Sequence, residues 1–131
     1  MAQDALQTTE PKGAQERGSQ VARQWAAVQD AASAVAMIAG VEADAPSSRS
    51  RNFAASVAAA GGDRQRLAEN ALSDIAAVLQ PGLAALLAVN ARGQDAAAPA
   101  LALWREYCAS RDALLSLVPE VGSRMGPRRS A

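Results

Sequence analysis

The residues best suited to binding chemistry are four arginines near two predicted helix starts: Arg49, Arg51, Arg64 and Arg66. Guanidinium groups bind phosphate and carboxylate through paired hydrogen bonds, and helix N-termini attract anions. Serines at positions 47, 48 and 50 add hydroxyl donors. This pattern predicts an anion or nucleic-acid site if the two helix starts converge. If they lie at opposite ends of an antiparallel helix pair, it predicts a solvated surface. The solvated surface is the default, because cations at a helix start oppose the helix dipole.

The sequence contains no histidine, which excludes several kinds of catalytic site. Ser-His-Asp and Cys-His catalysis need an imidazole, as do the Glu-x-x-His pairs of di-iron bundles and the phosphoacceptor of histidine phosphotransfer bundles. A single cysteine also excludes a zinc site of four thiolates, and no glycine-rich phosphate loop is present. We therefore expect no catalytic residue, no cofactor and no metal ion, and a protein that is not an enzyme.

A few other side chains could do chemistry, but each has a structural interpretation. Arg111 lies in an apolar row of the last predicted helix, and an inward arginine with a carboxylate such as Glu69 could form a small catalytic site. An arginine in such a row more often extends to solvent or pairs with a neighbouring carboxylate. Cys108 is expected to be a small buried residue. Trp25 and Trp104 are expected in the core, with an exposed binding hot spot as the alternative.

The elements that carry these residues are predicted to be helices. Half of the 131 residues are apolar, but only 3% are aromatic, and isoleucine and threonine are scarce beside the many alanines. Alanine, leucine, glutamine, arginine and glutamate favour helices, whereas strands favour β-branched and aromatic residues. The composition therefore predicts an all-α fold whose helices pack closely.

The spacing of apolar residues predicts four or five helices joined by short loops. The first covers residues 14–39, and a short one runs from Ser47 or Ser48 to about residue 60. Asp63 is predicted to cap the third helix, and the last begins near Asp95 and ends at Val118. We predict an up-and-down bundle of four to five helices in one domain, residues 14–119. A disordered tail, residues 1–13, and a flexible basic tail, residues 120–131, flank this domain.

The third predicted helix contains the longest uncharged run of the chain, Ile75 to Ala91. Pro81 interrupts it, and either a kink or a helix end at Gln80 fits; we favour a break or sharp kink because a glycine follows. Residues 83–89 are apolar on nearly all sides, which predicts a place at the centre of the bundle. The run is near the lower length limit of a membrane span, but its alanines, proline and polar residues favour a buried core segment.

The chain has equal numbers of basic and acidic residues, 13 each, which argues against a dedicated nucleic-acid binder. A lone cysteine and an N-terminus without signal-peptide features predict a cytoplasmic location. Surplus apolar helix faces predict a non-catalytic interaction module: an adaptor, a chaperone-like protein or a small regulatory subunit. It is expected to form a homodimer or to bind another protein. The alternatives are anion or nucleic-acid binding through the four arginines, and a coat protein on a lipid or granule surface. The expected interface residues are Trp25, Leu83, Leu86, Leu87, Trp104 and Tyr107.

Overall fold

The computed structural model describes residues 10–43 and 45–121, with side-chain detail from Gln20 onward. Within these ranges the chain forms five helices and no strand, which confirms the all-α prediction. The helices are α1 (Glu10–Ala39), α2 (Ser48–Arg51), α3 (Phe53–Ala60), α4 (Gly62–Ala91) and α5 (Ala97–Leu115).

The three long helices, α1, α4 and α5, pack against one another, and this bundle carries the fold. α4 and α5 are antiparallel neighbours, because only residues 92–96 join them and Gly82 lies against the side chain of Leu103. The two short helices, α2 and α3, occupy the connection between α1 and α4, and α3 contacts both α1 and α4. The predicted bundle of four to five helices is confirmed.

The core contains one apolar row of α1 and one of α4, together with Ala100, Tyr107, Leu114 and Leu115 of α5. On α1 the predicted row Val21, Trp25, Val28, Ala32 and Val35 is buried. On α4 the spacing predicts two adjacent buried rows, one of Leu67, Ala71, Ile75 and Val78 and one of Ala68, Leu72, Ile75 and Leu79, and only the second is buried throughout. The other row is wrong as a core row, because Leu67 and Val78 are more than half exposed. α4 therefore has neighbours on one side only.

Both predicted tails lie largely outside the described residues, which begin at Glu10 and end at Val121. α1 begins at Glu10, four residues before the predicted start, and includes Pro11 and Gly13. A proline in the first helical turn loses no intrahelical hydrogen bond, because the first N–H groups of a helix have no partner within it. The proline and glycine therefore do not delay this helix.

The connection from α1 to α4 is a loop, two short helices and a glycine turn. Of the two serines predicted to cap a short helix here, Ser47 does so, since its hydroxyl accepts a hydrogen bond from the backbone N–H of Ser50. The single helix predicted to reach about residue 60 is divided at Asn52 into α2 and α3. The prediction that Asp63 caps the third helix is wrong. Gly61 and Gly62 have φ angles of +61° and +55°, a left-handed conformation that favours glycine, and α4 begins directly at Gly62. Asp63 lies in the first turn and pairs with Arg66.

α4 runs without interruption from Gly62 to Ala91, so the predicted break at Pro81 is wrong. A proline removes the hydrogen bond to the carbonyl four residues earlier, here that of Ala77. Both Pro81 and Ala77 are exposed, so water can hydrate that carbonyl. Leu79 and Leu86, which are buried on either side of the proline, keep the helix against its neighbours.

The expectation that residues 83–89 lie at the bundle centre, with three leucines buried, is wrong for most of the segment. Leu86 is buried and Leu83 is half-buried, but Leu87 is 50% exposed. The alanines at positions 84, 85 and 88 are also exposed. With only α1 and α5 as long neighbours, α4 has a side that no part of the described chain covers.

Adjacent leucines of α4 provide a matched test of this packing. Leu86 is 5% exposed and Leu87 is 50% exposed. We expect Leu86→Ala to lower the free energy of unfolding by about 2–5 kcal/mol, because it leaves a cavity in the core. Leu87→Ala should cost about 0.5 kcal/mol or less, as is usual at the surface. Urea unfolding followed by circular dichroism measures both free energies. Equal losses of stability in the two variants would show that Leu86 and Leu87 are not, respectively, buried and exposed.

Candidate functional site

The four arginines singled out in the sequence have separate surroundings in the structure. Arg49 and Arg51 lie in α2, before α3, whereas Arg64 and Arg66 lie after it, in the first turns of α4. The eight residues of α3 correspond to about 12 Å of helix. Arg66 pairs with Asp63 of its own turn. The two pairs of arginines therefore share no partner among the described residues.

Arg49 binds backbone at the C-terminal end of α5. Its Nε donates to the carbonyl oxygen of Leu115 at 3.0 Å, and its Nη2 donates to that of Val118 at 3.4 Å. Leu115 is the last residue of α5, so its carbonyl has no intrahelical donor and carries partial negative charge, whereas Val118 lies in the turn that follows. The guanidinium therefore donates both to the end of the helix and to the chain after it. Arg51 likewise donates to the carbonyl of Pro46 at 2.7 Å. These cations therefore connect parts of the fold.

The anion at the start of α2 is a carboxylate of the same chain. The Ser48 hydroxyl donates to Oε2 of Glu120 at 2.8 Å, and the Asn52 amide donates to the same oxygen at 3.2 Å. These two hydrogen bonds hold the pKa of Glu120 below its usual value, because they favour the charged form. The hydroxyl of Ser47 accepts from the Ser50 N–H, and that of Ser50 accepts from Gln29 at 2.9 Å. The serines that suggested an external anion are therefore occupied within the chain.

A groove of about 330 Å³ lies between α1, the loop before α2, and α5. Trp104 and Tyr107 line it, with their ring centroids 5.7 Å apart. The guanidinium carbon of Arg111 is 5.7 Å from the Tyr107 ring centroid, and Nε of Arg111 donates to Asp112 at 3.1 Å. The arginine of the groove is thus already paired with a carboxylate and a ring of its own helix.

The Tyr107 phenol is the one acid with a raised pKa in this groove. Burial raises its pKa because the phenolate is poorly solvated there, and the positive charge of Arg111 opposes part of that rise. Cys108 is half-buried rather than fully buried, and Glu69 lies on α4, hydrogen-bonded to Gln65 at 3.0 Å. Arg111 and Glu69 therefore have different partners, and no Arg–carboxylate catalytic pair is formed between them.

The six residues predicted as an interface do not form one surface. Trp25, Leu86 and Tyr107 are buried in the core, with Trp25 only 4% exposed. Leu83 and Trp104 are half-buried on different helices. Leu87 is the one member with half of its surface exposed. The interface as a set is therefore not available on the single chain, but Leu87 marks an exposed region of α4.

That region is a charge-free outer side of α4, which we call the α4 strip. It comprises the exposed residues between Asp74 and Arg92: Ala77, Val78, Gln80, Pro81, Ala84, Ala85, Leu87, Ala88, Asn90 and Ala91. Eight of these ten residues are apolar. The uncharged run is evident in the sequence, where it predicts a core segment, and that prediction leaves out the two opposite charges that bound the run. Those charges are visible in the sequence as the residues flanking the run.

α4 is, in the described part of the chain, the one helix long and apolar enough to cross a membrane. Only 22% of its most apolar window is buried, so the run is not the core segment that the sequence suggested. Length and composition alone are weak evidence for a membrane span, because the core helix of a soluble protein can be equally long and apolar. Here Leu72, Leu79 and Leu86 are buried in contact with the rest of the bundle.

Comparison with known proteins gives no assignment: no family model, no curated protein and no solved structure matches this chain. A functional assignment therefore depends on the geometry of the chain itself.

If Arg49 connects parts of the fold, its removal must cost stability. We expect Arg49→Ala to lower the free energy of unfolding by about 1–2 kcal/mol, because the carbonyls of Leu115 and Val118 lose a charged donor. Arg64→Ala is the matched control. Arg64 is exposed and makes no side-chain hydrogen bond or ion pair within residues 20–43 and 45–121, so its loss should cost about 0.5 kcal/mol or less. Urea unfolding measures both variants, and equal stability of the two would contradict this role for Arg49.

Tyr107 is the only tyrosine of the chain, so its ionisation can be followed directly by absorbance at 295 nm. We expect a pKa above that of a free tyrosine, and a further rise in Arg111→Met, because the cation that favours the phenolate is lost. Because folding raises the pKa of Tyr107, the contribution of its neutral phenol to the free energy of unfolding is fully present below the pKa of the unfolded chain. That contribution is lost as the pH rises through the pKa of the folded protein. Arg105→Met, an exposed change on the same helix, is the control and should leave the titration unchanged. A normal tyrosine pKa in the native protein would contradict the burial of the phenol.

Proposed function

We propose that this chain is a non-catalytic helical interaction module that binds protein through the α4 strip. The observation that carries the proposal is the exposure of a helix side that has no charge from Ile75 to Ala91. Leu87 and Val78, at 50% and 51% exposure, are large apolar side chains at the two edges of the strip. An apolar patch of a few hundred Å² on a soluble protein is often functional, especially where polar residues surround it.

The composition of the strip suits a helix as the partner structure. Its centre consists of small side chains, mainly alanine, which let the backbone of a second helix approach closely. Side chains three and four residues apart lie on one side of a helix, and Ala77, Pro81, Ala84 and Ala88 follow that spacing. The larger side chains of Val78 and Leu87 would then flank the contact. We infer that the strip receives an apolar helix.

A protein partner fits this surface better than a membrane or a polyanion. Helices that lie on membranes combine large apolar side chains with lysines and arginines on the polar side. The strip offers mainly alanines, with Val78 and Leu87 as its two large apolar side chains, and Arg92 is the only cation at its ends. The arginines that suggested nucleic-acid binding include Arg49, which binds the end of α5, and Arg66, which pairs with Asp63.

Photo-crosslinking from the strip tests this proposal. With a benzophenone amino acid at position 84, we expect a discrete covalent adduct with protein, either in the purified sample or in extract of the native cells. The adduct should disappear when Leu87→Glu is added, because a buried unpaired charge opposes binding. Position 109 on α5 is the matched control, since Ala109 is also an exposed helical alanine.

Two results would reject the module. One is the absence of any adduct at position 84 beyond that at position 109. The other is a strip that binds lipid: retention of the wild-type protein on phosphatidylcholine–phosphatidylglycerol vesicles, lost in Leu87→Glu, would replace the protein partner with a membrane surface.

A further inference from the structure

We propose that the partner on the α4 strip is a second copy of this chain, with its α4 antiparallel to the first. Asp74 of each copy then pairs with Arg92 of the other. This inference rests on the proposed function, because it names the occupant of the same surface. It follows from the two charges that bound the strip rather than from the apolar residues within it.

Asp74 and Arg92 lie at the two ends of the strip, and Asp74 is on its α5 side, where it lines a cavity of about 150 Å³ with Glu106 and Tyr107 of α5. They are 18 residues apart, and 18 residues make about five turns, so both side chains leave the helix in the same direction. The distance along the axis is about 27 Å. Both residues are exposed. Within residues 20–43 and 45–121 neither one forms an ion pair or a side-chain hydrogen bond. Two opposite charges without partners thus bracket an uncharged surface.

A twofold axis through the middle of this stretch satisfies both charges at once. The midpoint is position 83, and antiparallel pairing about it places Asp74 opposite Arg92 of the second copy, twice in each dimer. Pro81 then lies opposite Ala85 of the second copy, so small residues meet at the centre. A parallel pairing in register would instead bring like charges together at both ends, which opposes association. A twofold contact is also the commonest way in which like chains associate.

The strip is small, and this sets the strength expected of the dimer. A surface about 27 Å long and about 10 Å wide is roughly a third of the 800 Å² that each partner contributes to a standard stable interface. We therefore expect dissociation in the high micromolar range, with the charged pairs setting the direction of the helices.

Charge reversal tests the arrangement in the intact protein. Sedimentation equilibrium up to about 0.5 mM should give a monomer–dimer equilibrium. Asp74→Arg and Arg92→Asp should each raise the dissociation constant about tenfold, since two attractive pairs become repulsive. The double variant should return to within about threefold of the wild type, because both pairs form again with reversed signs. Arg105→Asp, an exposed change on α5 with the same charge difference as Arg92→Asp, should have no effect.

The outcomes separate this inference from the proposed function. A strictly monomeric wild type at 0.5 mM overturns the inference, as does a dimer that neither single reversal weakens or that the double variant does not restore. Thermal melts show whether each variant is folded. The double variant carries both changes, so if it dimerises again, the weaker dimerisation of the single variants cannot be due to unfolding. If the inference fails while position 84 still crosslinks to a different protein, the interaction module stands with another partner. If position 84 gives no adduct at all, both fail.

Discussion

The fold depends on one buried contact between α1 and the connection that follows it. The indole N–H of Trp25 donates to the carbonyl of Ser50 at 2.8 Å, and the indole ring lies 4.9 Å from that of Phe53. A buried indole N–H without an acceptor would be costly, so this hydrogen bond allows the tryptophan to fill the core while joining α1 to α2. Because Trp25 lies in the middle of α1, this contact brings the connection back alongside the helix. α3 and the start of α4 are thereby placed against α1.

The same connection is also held from its other side by the chain after α5. Arg49 binds the carbonyls at the end of α5, and Glu120 accepts from Ser48 and Asn52. The backbone N–H of Val121 donates to the buried hydroxyl of Ser56 at 3.0 Å. The polar contacts between distant parts of the chain thus gather around α2 and α3. The second half of α4 has α1 and α5 as its long neighbours, and its outer side is left without cover.

The sequence was sufficient for the all-α fold and for the buried row of α1, but not for the number of neighbours around each helix. Apolar spacing identified the buried row of α1 and one of the two rows of α4, because burial of one side is what produces the period. It could not distinguish a helix surrounded by others from one with a bare alanine side, since both have the same apolar run. The roles of Arg49 and Glu120 depend on contacts across more than 60 positions, which no local pattern reveals. The predicted break at Pro81 was wrong because the effect of a proline on a helix depends on whether water reaches the carbonyl that loses its hydrogen bond, here that of Ala77.

The bare side of α4 differs from an ordinary solvated helix face in a way that favours selection of a partner. The outer side of α5 carries Arg105, Glu106 and Asp112, the mixed charges that usually keep a helix surface in water. Alanine favours the helix without help from a neighbour, so α4 can form fully before anything covers the strip. The alanines therefore provide a close-packing surface that does not specify a direction, and Asp74 and Arg92 supply the direction. In one antiparallel register Asp74 and Arg92 of each copy pair with the other copy. In a parallel pair, like charges would repel at both ends. The same two residues therefore favour the antiparallel dimer and discriminate against the parallel one.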